Sequence, residues 1–285
     1  MLLDHIDNLL EFLATHSREH AHGTPLYRFA DSVVRYAFHE VKPIFETGRK
    51  VGVAELGLVD LPYERMGAVD SVDLFGLDEL LMFAFYHRNR GRYARAVDIG
   101  ANIGLHSILL ARCGCKVESY EPDPVHHAKL VRNLELNGVT DCTTHQAAVS
   151  ERRGTMQFVR VLGNTTSSHL AGSKANSYGE LERFDVEVRD IREISERADL
   201  MKIDAEGHEA VILNALPVQV WENLDAFVEI GSTENARVIF ERFTGTGVNL
   251  FPQKTGWTRA ESLGQIPVSY KEGGIFISAK DAMPW

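Results

Sequence analysis

Asp98, Glu121 and the glycines at 100 and 104 are the residues whose types and spacing first suggest chemistry in this sequence. Asp98 lies in Ala96-Val97-Asp98-Ile99, a short apolar run that reads as a parallel strand buried on both faces. Gly100 and Gly104, with Asn102 between them, remove bulk where a ligand or a neighbouring backbone must come close. Leu105, Ile108, Leu109 and Ala111 continue at helical spacing, so the turn opens onto a helix N-terminus, which in α/β sheets borders the ligand crevice. Glu121 follows the next strand at about twenty residues, the separation at which an acid chelates ribose hydroxyls. A phosphate cradle would end in Lys-Ser or Lys-Thr, whereas this helix opens with Leu105-His106-Ser107. The dinucleotide pattern G-x-G-x-x-G fails too, because position 102 is Asn. Asp98 would oppose a pyrophosphate but suits an ammonium. Ribose without phosphate, joined to a cationic amino acid, describes S-adenosylmethionine.

A second acidic group lies further along. Leu200-Met201-Lys202-Ile203 reads as a buried strand that delivers Asp204 and Glu206 to the end of the sheet where the Gly100 turn lies. Ala226-Phe227-Val228-Glu229-Ile230 reads as the next strand, with Glu229 facing Asp204 across the cleft or paired with Lys202. The first motif, Val97-Asp98-Ile99-Gly100-Ala101-Asn102-Ile103-Gly104, and the second, Lys202-Ile203-Asp204-Ala205-Glu206-Gly207-His208-Glu209, occur in the order found in the FkbM family of class I methyltransferases. Glu121-Pro122 and Ala147-Ala148-Val149-Ser150 stand between them as they do in that family, so the sequence resembles it from Ala96 to Ser278. His208 departs from the family, which usually has a small or apolar residue there.

The resemblance implies a Rossmann-like α/β fold: a mostly parallel seven-stranded sheet with an antiparallel C-terminal hairpin and an N-terminal helical extension. It also implies an S-adenosylmethionine-dependent O-methyltransferase acting on a hydroxyl of a sugar, glycan or secondary metabolite. An N-methyltransferase of a small amine or peptide, and a non-catalytic S-adenosylmethionine-binding scaffold, are the alternatives. The expected cofactor contacts are Glu79 at the donor's amino group, Asp98, Gly100, Asn102, Gly104, Glu121, Asp204, and Ala148 or Gln146 at the adenine. An alcohol is a poor nucleophile near neutral pH, so a carboxylate or metal should assist its deprotonation. Asp204 is the expected base, Glu206 a supporting acid, and His208 or His169 the alternative bases. Asp204 and Glu229 are also candidate oxygen ligands for Mg²⁺. The polar tract Gly163 to His169 reads as a substrate lid, with Thr166, Ser167, Ser168 and His169 as its contacts.

These residues need a scaffold, and the chain is long enough to bury one. Its 285 residues suit one α/β domain, residues 73–285, behind an extension of residues 1–72. A formal net charge of −10 argues against a nucleic-acid groove. Cys113, Cys115 and Cys142 make an odd set without zinc spacing and read as reduced, which with the absence of a signal peptide suggests the cytoplasm. No apolar run approaches the roughly twenty residues of a membrane span. Leu2, Ile6, Leu9, Leu10 and Leu13 share one helical face, expected to pack on the domain or to join a homo-oligomer. A second helix is expected over 26–46, with Phe29, Val33, Tyr36, Ala37 and Phe38 in the core, and Val51-Gly52-Val53 as a short β-like run. Another is expected over Asp73 to Asn89, with Asp78 and Glu79 opposite its apolar stripe. Thr143 to Ala148 reads as the third strand of the sheet, and Phe184 to Val188 as a short strand returning to it.

Overall fold

The computed structural model describes residues 6–46, 51–52, 58–174 and 179–285. Val53 and the side chains of Leu2, Ile6 and Phe38 lie outside the described residues. The N-terminal part holds α1 (Ile6–Thr15), α2 (Pro25–Glu46) and a minimal antiparallel pair, β1 (Val51–Gly52) with β2 (Leu58–Val59). α3 (Leu77–Arg88) leads into alternating elements: β3 (Arg95–Ile99), α4 (Leu105–Arg112), β4 (Lys116–Tyr120), α5 (Pro124–Leu136) and β5 (Cys142–His145). After an insertion come β10 (Leu200–Ile203), α7 (Glu209–Ala215), β11 (Asp225–Val228), α8 (Thr233–Phe243), β12 (Asn249–Pro252) and β13 (Ile275–Ser278).

The main sheet has seven strands in the order β12-β13-β11-β10-β3-β4-β5. β5, β4, β3, β10 and β11 run parallel, and β13 is antiparallel to both of its neighbours. β3, β10 and β11 are buried almost throughout, as a sheet covered by helices on both faces requires. From β3 the chain builds outward to β4 and β5, then returns to β3's other side at β10. The strand order therefore reverses between β3 and β10, and ligands of open α/β sheets bind outside the carboxyl ends of strands at such a point.

The insertion forms a separate sheet. β6 (Ala148–Ser150), β7 (Gly154–Val161), β8 (His169–Leu170) and β9 (Leu181–Asp190) pair in the order β6-β9-β7-β8, and α6 (Ile191–Ser195) follows. Two expectations are corrected here. Ala148 leaves the third strand and joins this second sheet, and the strand around Phe184 is ten residues long and pairs with β7 rather than with the main sheet. Phe158, Leu170, Val186 and Val188 give the second sheet a small core of its own.

The N-terminal helices share the domain's core. Leu10 and Leu13 of α1 are buried in one cluster with Leu80 and Leu81 of α3, so of the two expected uses of this apolar face, packing on the domain or joining a homo-oligomer, its described residues Leu10 and Leu13 take the first. α2 packs through Ala30, Val34 and Ala37, small residues that let it lie close. Phe29 and Tyr36, expected inside, are turned outward at 67% and 65% exposure. His20 fastens this region: it is buried, Trp257 Nε1–H donates to its Nδ1 at 2.8 Å, and its Nε2–H donates to Leu13 O at 2.9 Å. Indole nitrogen only donates, so the neutral Nε2–H tautomer is the one that fits.

Burial lowers the His20 pKa to about 4. The group therefore contributes stability that is fully present above its unfolded value of 6.5 and is lost as pH falls toward 4. Raised carboxylates elsewhere act with the opposite sign, so the clean readout is a difference between variants. His20→Asn should be less stable than the parent at pH 7, and the gap should shrink by about 2 kcal/mol at pH 4.5. Denaturant titrations at the two pH values check this; a gap independent of pH would contradict it.

Candidate active site

The turn after β3 is held from two sides. Gly100 N and Ala101 N both donate to Tyr120 O, at 3.0 and 3.1 Å, and Asp204 N donates to Ile99 O at 3.1 Å. Gly100 has φ +76, and a Cβ there would come within 1.9 Å of Asp204 O. Gly100→Ala should therefore cost at least about 1–3 kcal/mol of backbone strain and push the Asp204 loop away. A thermal melt with an unchanged Tm would contradict this. Gly104 serves a different contact: at φ +93 it opens α4, and a Cβ would meet Leu130 Cδ1 at 2.5 Å, so this glycine lets α4 pack on α5.

Glu121 stands at the end of β4 and lines a cavity of about 580 Å³ together with Gly100, Asn102, Ala148 and Phe158. Asn102 N donates to its Oε2 at 2.8 Å and Asp123 N to its Oε1 at 2.9 Å. Each oxygen thus keeps acceptor capacity toward the cavity. Burial pushes the Glu121 pKa up to about 8, against the pull of the two N–H donors. Asn102 sits at φ +51, and its buried Oδ1 has no partner among the described residues.

Asp98 is a correction. It does not line the cavity; it is fully buried, accepts from Ser107 Oγ at 2.6 Å, and its other oxygen lies 3.9 Å from Lys202 Nζ. The ammonium that it faces belongs to the protein. Lys202 also donates to Asp204 Oδ2 at 3.2 Å and lies 3.5 Å from Gly100 O. Its pKa is raised: burial opposes the charge, and the carboxylates of Asp204, Asp98, Glu79 and Glu229 outweigh it.

A second cavity, about 540 Å³, lies on the other side of Asp204 and is bordered by α2, α3, Phe227 and Trp257. The two cavities share Asp73, Glu79, Asp204, Glu229 and Tyr270. Glu229 projects into this seam, and its pKa is raised well above the carboxylate range, first by the charge of Asp204 and then by burial. Glu79 Oε2 lies 2.7 Å from His106 Nε2, whose Nδ1 lies 3.1 Å from Tyr86 OH.

The second motif loop is braced by its own acids. Glu209 accepts from Ala205 N and Gly207 N, both at 3.0 Å, and from Asn235 Nδ2 at 2.7 Å; burial pushes its pKa up to about 7. Glu206, at φ +52, lines the first cavity and pairs with Lys174; burial and the neighbouring Asp204 push it up to about 7. His208 is a second correction. It lines neither cavity, and its ring nitrogens are engaged by Ser150 Oγ at 2.8 Å and Ser173 Oγ at 3.0 Å. It fastens the loop to the second sheet and lacks a free nitrogen for an acceptor's proton.

Thr166, Ser167, Ser168 and His169 do border a cavity, but the one that holds Glu121. Their polar atoms are largely spent within the tract. Thr166 Oγ1 donates to Asn164 Oδ1, Asn164 Nδ2 to Ser167 Oγ, Val161 N to Ser168 Oγ, and His169 Nδ1 lies 2.9 Å from Ser167 O. The tract is a wall of the Glu121 cavity, tied to residues 66–68 by Thr165 N to Met66 O and Ala68 N to Gly163 O. As for Mg²⁺, no three His, Cys, Asp or Glu side chains among the described residues come together as a metal-holding group. Beside Asp204 the cation is the Lys202 ammonium, which occupies one side of the carboxylate a metal would need.

A model of the methyltransferase FkbM domain matches residues 98–241. The chain belongs to this family. Among curated relatives, methyltransferase sdnD of Sordaria araneosa is 29% identical over 159 residues, covering 44% of this chain and 61% of that protein. Methyltransferase 1 of Beauveria bassiana is 26% identical over 157 residues, covering 46% and 62%. The chain thus spans about six-tenths of the length of these relatives. Among solved structures, the METTL16 methyltransferase domain matches with a TM-score of 0.39 at 11% identity, over 70% of this chain and 66% of that one. The class I methyltransferase fold of the FkbM family implies use of S-adenosylmethionine, and the Glu121 cavity fits it: open carboxylate acceptors for a diol, a glycine turn, and Glu79 for an ammonium.

Proposed function

We propose that this chain is an S-adenosylmethionine-dependent O-methyltransferase acting on a hydroxyl of a sugar, glycan or secondary metabolite, with residues 73–285 as the catalytic domain. The observation that carries the reading is the seam: Asp204, at the end of β10, is one of the carboxylates that border both the cavity that suits the donor and a second cavity on its far side. Glu121 accepts the ribose hydroxyls, and Glu79 takes the amino group. When bound, the donor supplies an electrophilic methyl on a sulfonium. Asp204 accepts the proton of the attacking hydroxyl, and Lys202 fixes its orientation. Glu229, holding its proton, donates a hydrogen bond to the acceptor.

The crowd of carboxylates favours oxygen over nitrogen. An amine among Glu79, Asp204, Glu206 and Glu229 would be held as ammonium, which has no lone pair to attack with. A hydroxyl arrives neutral and gains from a base. The test is methyl transfer from isotopically labelled donor to paired hydroxyl and amine acceptors, with products read by mass spectrometry. Label in a methyl ether is expected; label only on nitrogen would overturn the oxygen assignment.

A further inference from the structure

We infer that the acceptor occupies the cavity walled by α2, and that this cavity admits uncharged, hydroxyl-bearing molecules and rejects anions. The inference rests on the methyl-transfer reading above. Displacement at a methyl requires nucleophile, carbon and leaving sulfur in line. With the nucleoside end at Glu121, the nucleophile must come from the far side of the Asp204 seam, and that side is the 540 Å³ cavity. Tyr27, Asp31, Val34 and Arg35 give it one wall. They lie at positions i, i+4, i+7 and i+8 of α2, a single helix face. The wall lies outside residues 98–241, the segment that matches the family. The N-terminal arm therefore determines which acceptor enters.

The charge class follows from the partners of the lining groups. Seven lining side chains are carboxylates and two are cations. Both cations are paired: Arg35 Nε donates to Asp31 at 2.8 Å, and Lys202 Nζ to Asp204 at 3.2 Å. A phosphate or carboxylate entering here meets acids and no unpaired cation among the described residues, an arrangement that selects against it. Some of the acids are partnered as well. Asp78 accepts from Tyr27 OH and Gln253 Nε2 and pairs with His22, whose pKa is raised by Asp78 against the effect of burial. The Glu229 pKa is raised well above the carboxylate range by the charge of Asp204 and by burial. What remains is a surface rich in hydrogen-bond acceptors, flanked by the rings of Tyr27, Trp257 and Tyr270, which suits hydroxyl donors.

The test is ligand-observed NMR on the full chain saturated with S-adenosylhomocysteine. The probes are neutral glycosides and cyclic polyols, each beside its phosphorylated and aminated counterpart. Neutral probes should bind about tenfold more tightly than their phosphates, and Asp31→Lys should shrink that ratio to about threefold without changing S-adenosylhomocysteine affinity. Phosphates that bind as tightly as neutral probes, an absence of binding by every neutral probe, or a ratio unmoved by Asp31→Lys would each overturn the inference. Failure of S-adenosylhomocysteine itself to bind would instead remove the methyl-transfer reading beneath it.

Discussion

Asp204→Asn should lower kcat by about 10²–10⁴-fold, the usual contribution of a positioned general base, while S-adenosylhomocysteine affinity stays close to that of the parent. Asparagine keeps the shape of the side chain and an oxygen for the Lys202 ammonium, so the loop should hold its place. What disappears is the group that takes the acceptor's proton. The substitution has a second consequence, because the charge of Asp204 is the largest cause of the raised Glu229 pKa. In the variant, Glu229 should ionise at lower pH than in the parent, so its hydrogen bond to the acceptor, and the residual activity with it, should be lost at a lower pH. Steady-state kinetics across pH, beside calorimetry, separate these effects. Full activity would exclude Asp204 as the base, and an unshifted profile would uncouple it from Glu229.

Glu121→Ala should weaken S-adenosylhomocysteine binding by roughly 1.5–3 kcal/mol, the worth of hydrogen bonds to a charged group, or on the order of 10–100-fold in Kd. Its pH dependence has a definite sign. Ribose hydroxyls donate to the ionised carboxylate, and in the free protein Glu121 holds its proton up to about pH 8. Binding therefore requires loss of that proton, so affinity should rise as pH increases from 7 toward 9 and then level off. The alanine variant should lack this slope. Equal affinities in parent and variant would remove Glu121 from the ribose role.

The sheet and its cleft were legible because their signals are local. Apolar runs at 96–99, 200–203 and 226–228 ended in acids or glycine, and parallel strands buried on both faces have that appearance. The spacing from Asp98 to Glu121 placed one acid at the end of β4. Spacing did not reveal that Asp98 turns away from the ligand, because the choice depends on Lys202 in a strand about a hundred residues later. His208 misleads for a related reason. His208 reads as a base in isolation, yet Ser150 and Ser173, both distant in sequence, hold its two nitrogens. Ala148 reads as part of the main sheet although it pairs in the second, since a strand's partners are not written in its own residues. The α2 wall of the second cavity was invisible: Tyr27, Asp31 and Arg35 look like ordinary surface of an amphipathic helix until Asp78, Gln253 and Trp257 come together with it.

The most direct test of the central claim is a calorimetric titration of the full chain with S-adenosylhomocysteine at pH 8, with NAD⁺ as the control ligand. Micromolar binding of S-adenosylhomocysteine, with no heat from NAD⁺, is the result expected of a cavity that meets a ribose with Glu121 and offers no cradle to a pyrophosphate. Absence of S-adenosylhomocysteine binding, or binding of NAD⁺ in its place, would contradict the account.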